Sequence, residues 1–109
     1  MKFKLRINEN TSFNDIEKEL EKIKNSNVNE IPLNHIRKIT TFLEVEEIQG
    51  KGSSIRFFHE LLLENPFYKG YFQVHKIHKG GNKDEIRKSD FVKYLYPVLM
   101  ILIKLKNRN

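Results

Sequence analysis

Apolar residues recur at helical spacing in two stretches of the first half of the chain. The first stretch follows Ser12, whose spacing to Asp15 is that of a capping box, and the second follows Pro32, a residue favoured in the first turn of helices. We therefore predict two amphipathic helices. Their apolar positions are Phe13, Ile16, Leu20 and Ile23 in the first helix and Leu33, Ile36, Ile39, Phe42 and Leu43 in the second.

Four other segments alternate apolar and polar residues, the period typical of half-buried strands. Residues 2–7 are the first, and we predict a short edge strand or an ordered arm there. Residues 45–48, 54–62 and 71–77 are the others, and turns rich in glycine, proline or asparagine separate them. Segments this close in sequence predict a three-stranded antiparallel meander.

The C-terminal pattern predicts a closing helix. Ser89 has the chemistry of an N-cap, and residues 91–106 follow it with Pro97 inside, where a kink or break is expected. Residues 98–103 are apolar on every side, so they lie in the core or under another chain, which makes this helix the candidate contact of a homodimer. The order of elements predicts an α+β fold in which a small three-stranded antiparallel sheet carries helices on one face.

The composition indicates a single small domain with an anionic partner. The 109 residues are 39% apolar, and 20 Lys and Arg against 14 Asp and Glu give a net charge of +6. Nucleic acid is the first candidate for such a partner. The chain has no cysteine and no apolar run near the length of a membrane span, which predicts a cytoplasmic protein without thiolate metal sites or membrane contact.

Two short motifs precede the closing helix. Residues 50–59 read GKGSSIRFFH, residues 74–82 read VHKIHKGGN, and the closing helix follows them. In this order they resemble the HicA toxins of toxin–antitoxin systems, over about residues 30–100. The resemblance implies a basic domain with the α-β-β-β-α order of double-stranded-RNA-binding folds, which cleaves messenger RNA and is neutralised by a cognate antitoxin, HicB. It assigns residues 30–109 to this domain and residues 1–29 to an N-terminal extension.

The histidines of the family are matched only in the second motif. The family has a histidine directly after Gly-Ser or one residue later, where this chain has Ser54 and Ile55. Relatives that lack this histidine keep a motif of the form LHKPHPGN near the third strand. The residues that match it here are His75, Lys76, His78, Gly81 and Asn82. The resemblance therefore places catalysis at His75 and His78.

RNA cleavage without a metal needs a base for the 2′-hydroxyl, an acid for the leaving 5′-oxygen and positive charge near the phosphate. Histidine suits both proton transfers because its pKa lies near neutrality, and we assign them to His75 and His78 in either order. No cofactor or metal is expected. Residues that offer backbone amides, polar side chains or positive charge to RNA are Gly52, Ser53, Ser54, Arg56, Lys76, Lys79, Gly81, Asn82 and Lys83, and the neighbouring aromatic residues Phe67, Tyr68 and Tyr71 offer stacking.

Other interpretations stay open at these positions. His75 and His78 also fit an ordinary solvated strand end, or a metal site, although H-x-x-H has no clear third ligand nearby. Residues 52–54 also fit a simple turn. His59 lies on an apolar strand face, which indicates a core or interface histidine, and His35 is expected at the surface.

Two other functions compete with that of a toxin. One is a nucleic-acid-binding module that binds but no longer cleaves, because the family histidine is missing. The other is a small protein-interaction domain that uses its apolar C-terminal helix and needs no nucleic acid. Salt separates them, because phosphate contacts weaken steeply with ionic strength whereas apolar contacts do not.

Overall fold

The chain folds into helices and two small antiparallel sheets. The structure is a computed structural model and describes residues 2–80 and 83–108. In chain order its elements are α1 (Phe13–Lys24), β1 (Glu30–Pro32), α2 (Leu33–Phe42), β2 (Glu46–Gln49), β3 (Ser54–Phe58), a 3₁₀ turn (Glu60–Leu62), β4 (Tyr71–His75), β5 (Glu85–Arg87), α3 (Lys88–Asp90), a π-helical segment (Phe91–Leu95) and α4 (Tyr96–Asn107).

The predicted meander is present, and the α+β fold class is confirmed. β2, β3 and β4 pair antiparallel in this order, with Phe57 of β3 facing Phe72 of β4. β3 is shorter than predicted, because the side chain of His59 accepts the N–H of Leu61 and starts the 3₁₀ turn. β4 ends at His75, two residues before its predicted end.

One face of this sheet packs against helices, and the other is exposed. The rings of Phe57 and Phe72 stack on the packed face with centroids 5.0 Å apart, and the π-helical segment lies against β4. Successive residues of β4 alternate strictly between the two faces, as the period of a strand requires. The packed face buries Ile55, Phe57, Phe72 and Val74, and the opposite face exposes Arg56, Tyr71, Gln73 and His75.

α1 begins with the predicted capping box. Ser12 Oγ accepts the N–H of Asp15 at 3.2 Å, and Asp15 Oδ2 accepts the N–H of Ser12 at 2.9 Å. These hydrogen bonds hold the pKa of Asp15 below its ordinary value. α2 begins directly after Pro32, also as predicted.

α1 shares the hydrophobic core with the rest of the chain. The helix packs against α4, where the Tyr96 hydroxyl donates a hydrogen bond to Glu21 of α1. This bond to a carboxylate raises the pKa of Tyr96 to about 12. The division at residue 29 stays a prediction about the family boundary, since the packing runs across it. The fully buried residues of α1 are Ile16, Leu20 and Ile23.

The C-terminal helix begins earlier than predicted and is interrupted beside its proline. Its N-cap is Arg87, so the assignment of Ser89 as N-cap is wrong. Pro97 has no N–H to donate, and directly before it the N–H of Tyr96 bonds to the carbonyl of Phe91, five residues back. The predicted break is therefore present, in the form of a π-helical segment.

The apolar run at residues 98–103 lies mostly inside the chain's own core. Its buried residues are Val98, Leu99, Leu102 and Ile103, and its partly buried residues are Met100 and Ile101. Intrachain packing accounts for most of the run, and the homodimer contact stays a prediction. Within residues 2–80 and 83–108, no helix combines the length and the apolar character needed to cross a lipid bilayer.

Two short strands were not predicted from the sequence patterns, and of the two structures predicted for residues 2–7 only the arm is present. β1 and β5 pair through Ile31 and Ile86, both fully buried, and neither was predicted because three residues are too few to show a period. Residues 2–7 form no strand, so the predicted edge strand is wrong. They form an arm, in which the carbonyl of Leu5 accepts a hydrogen bond from Lys38 Nζ at 3.2 Å.

His35 is buried, so its expected surface position is wrong. Its Nε2 lies 2.8 Å from Glu19 Oε2, and its ring packs edge-on against Phe3 with centroids 5.1 Å apart. Glu19 lies on a different helix, 16 residues away in sequence. A contact of that kind leaves no local pattern from which burial could be predicted.

Gly70 joins the preceding loop to β4 in a conformation that favours glycine. Its φ is +99°, and a Cβ there would lie 2.8 Å from the ring of Phe58. We expect Gly70→Ala to lower the free energy of unfolding by about 2–3 kcal/mol, because backbone strain adds to this close contact. Gly52→Ala is the matched control: its φ is +61°, but no atom lies within 4 Å. We expect it to cost only about 1 kcal/mol.

Urea unfolding of both variants measures the two losses. A loss for Gly70→Ala no larger than that for Gly52→Ala would contradict the role of the Phe58 contact.

Candidate functional site

The exposed side of the β2–β3–β4 sheet forms a continuous surface, called the open face below. Directly opposed residues of antiparallel strands project to the same side, so the register defines its members. Its rows across the sheet are Glu46, Phe58 and Tyr71; Ile48, Arg56 and Gln73; and Ser54 and His75.

His75 lies at one end of the open face, beside the turn between β2 and β3. Its Nδ1 lies 3.4 Å from the Ser53 hydroxyl, and the N–H of Lys76 donates to the carbonyl of Ser53 at 2.8 Å. The fold thereby brings His75 next to Ser53, which lies 22 residues earlier in the sequence, and next to Ser54. Gly52 in the same turn has open space around its Cα, so a ligand can approach its backbone.

Asp84 lies at the centre of the second group of predicted residues. Its carboxylate contacts Lys76 Nζ at 3.1 Å and His78 Nδ1 at 3.0 Å, and it accepts the N–H of Lys79 at 3.2 Å. The hydrogen bond from Lys76 is the main reason that the pKa of Asp84 lies below its ordinary value. An ionised Asp84 favours a proton on Nδ1 of His78 and leaves Nε2 able to act as a base.

Asp84 is not among the residues predicted for the site from the sequence. The residue reaches Lys76 and His78 because the chain turns back after β4 and Ile77 pairs with Glu85. Its only sequence signal was a carboxylate in a basic stretch, which does not indicate a partner.

Two of the lysines predicted to contact RNA have acidic partners within the chain. Lys76 pairs with Asp84, and Lys79 Nζ lies 3.1 Å from Glu30 and 3.2 Å from Glu85. The hydrogen bond to Glu30 contributes most to raising the pKa of Lys79. The pairs of Lys79 are partly accessible to solvent and therefore weak, so a phosphate can replace these carboxylates. Neither lysine, however, offers uncompensated charge in the free protein.

Arg56 differs from these lysines, because within residues 2–80 and 83–108 no acidic side chain lies within ion-pair distance of its guanidinium. Its cross-strand neighbours on the open face are Ile48 and Gln73, and its guanidinium carbon lies 5.1 Å from the centroid of the Tyr71 ring. Among the residues that the structure describes, neither Arg56 nor Lys83 forms an ion pair. Both therefore keep their charge available for a phosphate.

Cavities at the two ends of the sheet differ in charge. A cavity of about 310 Å³ beside the β2–β3 turn has Arg37 and Lys76 in its lining, together with Glu47, which pairs with Arg37. A cavity of about 540 Å³ at the other end has three glutamates against a single lysine, Lys106. The cavity beside the β2–β3 turn is therefore the less negative of the two.

His59 is buried at the end of β3, as the apolar strand face indicated. Its Nδ1 accepts the N–H of Leu61 at 3.0 Å. Burial lowers the pKa of His59 below its ordinary value, and the charge of Lys106 acts in the same direction. A buried and neutral ring that caps a 3₁₀ turn has a structural role.

Two of the predicted RNA contacts, Gly81 and Asn82, lie outside the described residues, and their assignment stays a prediction. Within the two described ranges, no group of three or more His, Asp or Glu residues is arranged to hold a metal ion. No protein-family model, curated protein or solved structure matches the chain. Membership of the HicA family therefore stays a prediction from the two motifs.

We expect His59 to make the protein less stable in weak acid. Its pKa in the folded state lies below the ordinary value of 6.5, so the unfolded chain binds the proton more tightly. The contribution of the neutral His59 ring to the free energy of unfolding is complete above about pH 6.5. It is lost as the pH falls from there toward the folded-state pKa of His59. Urea unfolding at about pH 7.5 and about pH 5.5 measures this loss, which should be smaller in His59→Gln.

His75→Gln is the control for this experiment, because it changes a histidine that is exposed to solvent in the folded protein. It should keep the acid sensitivity of the wild type. Equal losses of stability in the wild type and in His59→Gln would contradict the prediction.

Proposed function

We propose that this chain is a HicA-like toxin, an RNA-binding protein and metal-independent endoribonuclease that acts on messenger RNA in the cytoplasm. The observation that carries the proposal is the arrangement of two histidines at the end of β4: His75, its last residue, on the open face beside Ser53, and His78 bonded to Asp84. The order α2, β2, β3, β4 and C-terminal helix agrees with the α-β-β-β-α order that the resemblance implies.

The contacts of His78 suit the general base. Because Asp84 accepts the Nδ1 proton, Nε2 can take the proton of the 2′-hydroxyl as that oxygen attacks the phosphorus. Asp84 would also stabilise the imidazolium that forms. His75 in its protonated form would give a proton to the leaving 5′-oxygen. The products would be a 2′,3′-cyclic phosphate and a free 5′-hydroxyl.

Positive charge for the phosphate would come from residues near both histidines. Lys76 lines the cavity beside the β2–β3 turn, Arg56 lies on the open face, and the backbone of Gly52 is accessible. These groups would offset the charge that develops on the phosphate during attack. The net charge of +6 would attract RNA to the protein before these contacts form.

The proposal includes a cognate protein antitoxin that covers the His75 end of the open face. His75 and Arg56 are both exposed, so one bound protein could occlude the proton donor and the phosphate contact together. Antitoxin and RNA would then compete for the same surface.

We expect His75→Ala and His78→Ala each to lower the rate of RNA cleavage by on the order of 100-fold or more, because each removes a proton transfer. Asp84→Asn should also lower the rate, because a neutral amide stabilises the imidazolium less. The assay incubates purified protein with a labelled single-stranded RNA in the presence of a chelator. Mass analysis of the fragments detects the cyclic phosphate.

Lys104→Ala, an exposed change on α4, is the control and should cleave like the wild type. Circular dichroism checks that each variant is folded. Undiminished cleavage by both histidine variants would remove His75 and His78 from the reaction.

A second candidate is a nucleic-acid-binding module that does not cleave. It is favoured by the in-chain acidic partners of Lys76, Lys79 and His78. It is also favoured by Ser54 and Ile55 at the positions where the family has its histidine. In the same assay this module would retard the RNA without cutting it, and its binding would weaken steeply with salt. Absence of both signals would point to a protein-interaction domain.

A further inference from the structure

Tyr71 presents an aromatic ring on the open face. Tyr71 is 44% exposed, whereas its neighbours in the chain, Gly70 and Phe72, are buried. The ring of Phe58 lies 5.0 Å from it on the neighbouring strand, and the Arg56 guanidinium lies 5.1 Å from its centroid. An exposed ring supported by a second ring and flanked by a cation is the arrangement on which proteins stack unpaired bases.

The ring is held by its surroundings, which lowers the cost of binding. β4 begins at Tyr71, and the carbonyl of the preceding Gly70 accepts the N–H of His59 at 3.0 Å. Gly70 has no Cβ, which lets the Phe58 ring approach the backbone beside Tyr71. A platform that is already ordered loses little conformational freedom when a base stacks on it.

Arg56 must leave the ring, at least in part, for a base to lie on it. An exposed cation–π contact is worth about 2- to 5-fold in an equilibrium constant. Stacking of one base is worth on the order of 5- to 150-fold, and the displaced guanidinium gains a phosphate. Replacing the guanidinium on the Tyr71 ring by a base therefore favours the bound state. Each base that stacks on Tyr71 is then accompanied by one phosphate contact to Arg56.

We propose that the open face binds single-stranded RNA, with one unpaired base stacked on Tyr71 and an adjacent phosphate on Arg56. Bases in a duplex are stacked on each other and cannot offer a face to Tyr71. This inference rests on the proposed function and adds the strandedness of the substrate and a base-binding position. Tyr71 lies four residues before His75 on the same strand, a distance of about 13 Å, so a strand of a few nucleotides would reach both.

Charges on the open face agree with this orientation. Glu46 lies in the row of Phe58 and Tyr71, which disfavours a phosphate there and suits a base. Arg56 lies in the next row, toward His75, where its positive charge would attract a phosphate. The backbone of the RNA would thus run along the Arg56 side, toward the β2–β3 turn.

The absence of tryptophan from the chain permits a direct test. Tyr71→Trp introduces a single indole at the proposed stacking position, and its fluorescence should be quenched when a mixed-sequence single-stranded oligoribonucleotide binds. Tyr94→Trp is the matched control, since Tyr94 is 42% exposed and has Lys93 Nζ 5.1 Å from its ring. It lies on the π-helical segment, which packs on the other face of the sheet, so its fluorescence should stay unchanged.

Fluorescence anisotropy of a labelled single strand gives the matching affinities. We expect Tyr71→Ala to weaken binding by on the order of 5- to 150-fold, and Tyr71→Phe and Tyr94→Ala to stay within about 2-fold of the wild type. A duplex of the same sequence should bind more weakly than the single strand. Thermal unfolding of each variant confirms that the fold is retained.

The possible failures are distinguishable. If the wild type binds RNA but Tyr71→Ala binds equally well, or if the duplex is preferred, stacking on Tyr71 is overturned while RNA binding stands. Equal quenching of the two tryptophan variants would overturn it as well. If the wild type binds no RNA, the proposed function fails together with this inference.

Discussion

The burial of one face of the β2–β3–β4 sheet is the constraint on which the rest of the structure depends. Phe57 and Phe72 stack on that face, and a buried aromatic side chain of this kind contributes about 2–3 kcal/mol to folding. On each strand, the residues next to these phenylalanines must then project from the opposite face of the sheet. Residues on that opposite face are not packed in the core. They can therefore be polar or charged, and they expose the side chains of Arg56, Tyr71 and His75 to solvent.

The interruption of the C-terminal helix lets one chain segment serve two layers. The π-helical segment before Pro97 packs on β4 and buries Phe91 and Leu95, while α4 beyond it packs on α1. A proline in the middle of a regular helix would leave a carbonyl without its donor, and the wider turn accommodates this loss. The π-helical segment that covers the sheet and α4, which packs on α1, are thus continuous in the chain. The Tyr96–Glu21 hydrogen bond joins α4 to α1.

Periodic patterns predicted the helices and the meander because each of those elements is long enough to repeat. The capping residues Ser12 and Asp15 act within one turn, so their effect could also be predicted. What could not be predicted depends on contacts between distant segments. The pairing of β1 with β5 rests on Ile31 meeting Ile86, and the burial of His35 rests on Glu19 from another helix. At the candidate site, the exposed position of His75 follows from the alternation of β4.

Asp84 shows how such distant contacts change the chemistry of a motif. From the sequence alone, Lys76 and His78 are a free cation and a free base, but in the fold both contact the same carboxylate. The Asp84 side chain is only 13% exposed, and its contacts fix the positions of both side chains and offset their charge. It lowers the local positive potential in the free protein and orients the imidazole of His78. An anion that approached Lys76 would therefore compete with a carboxylate rather than with water.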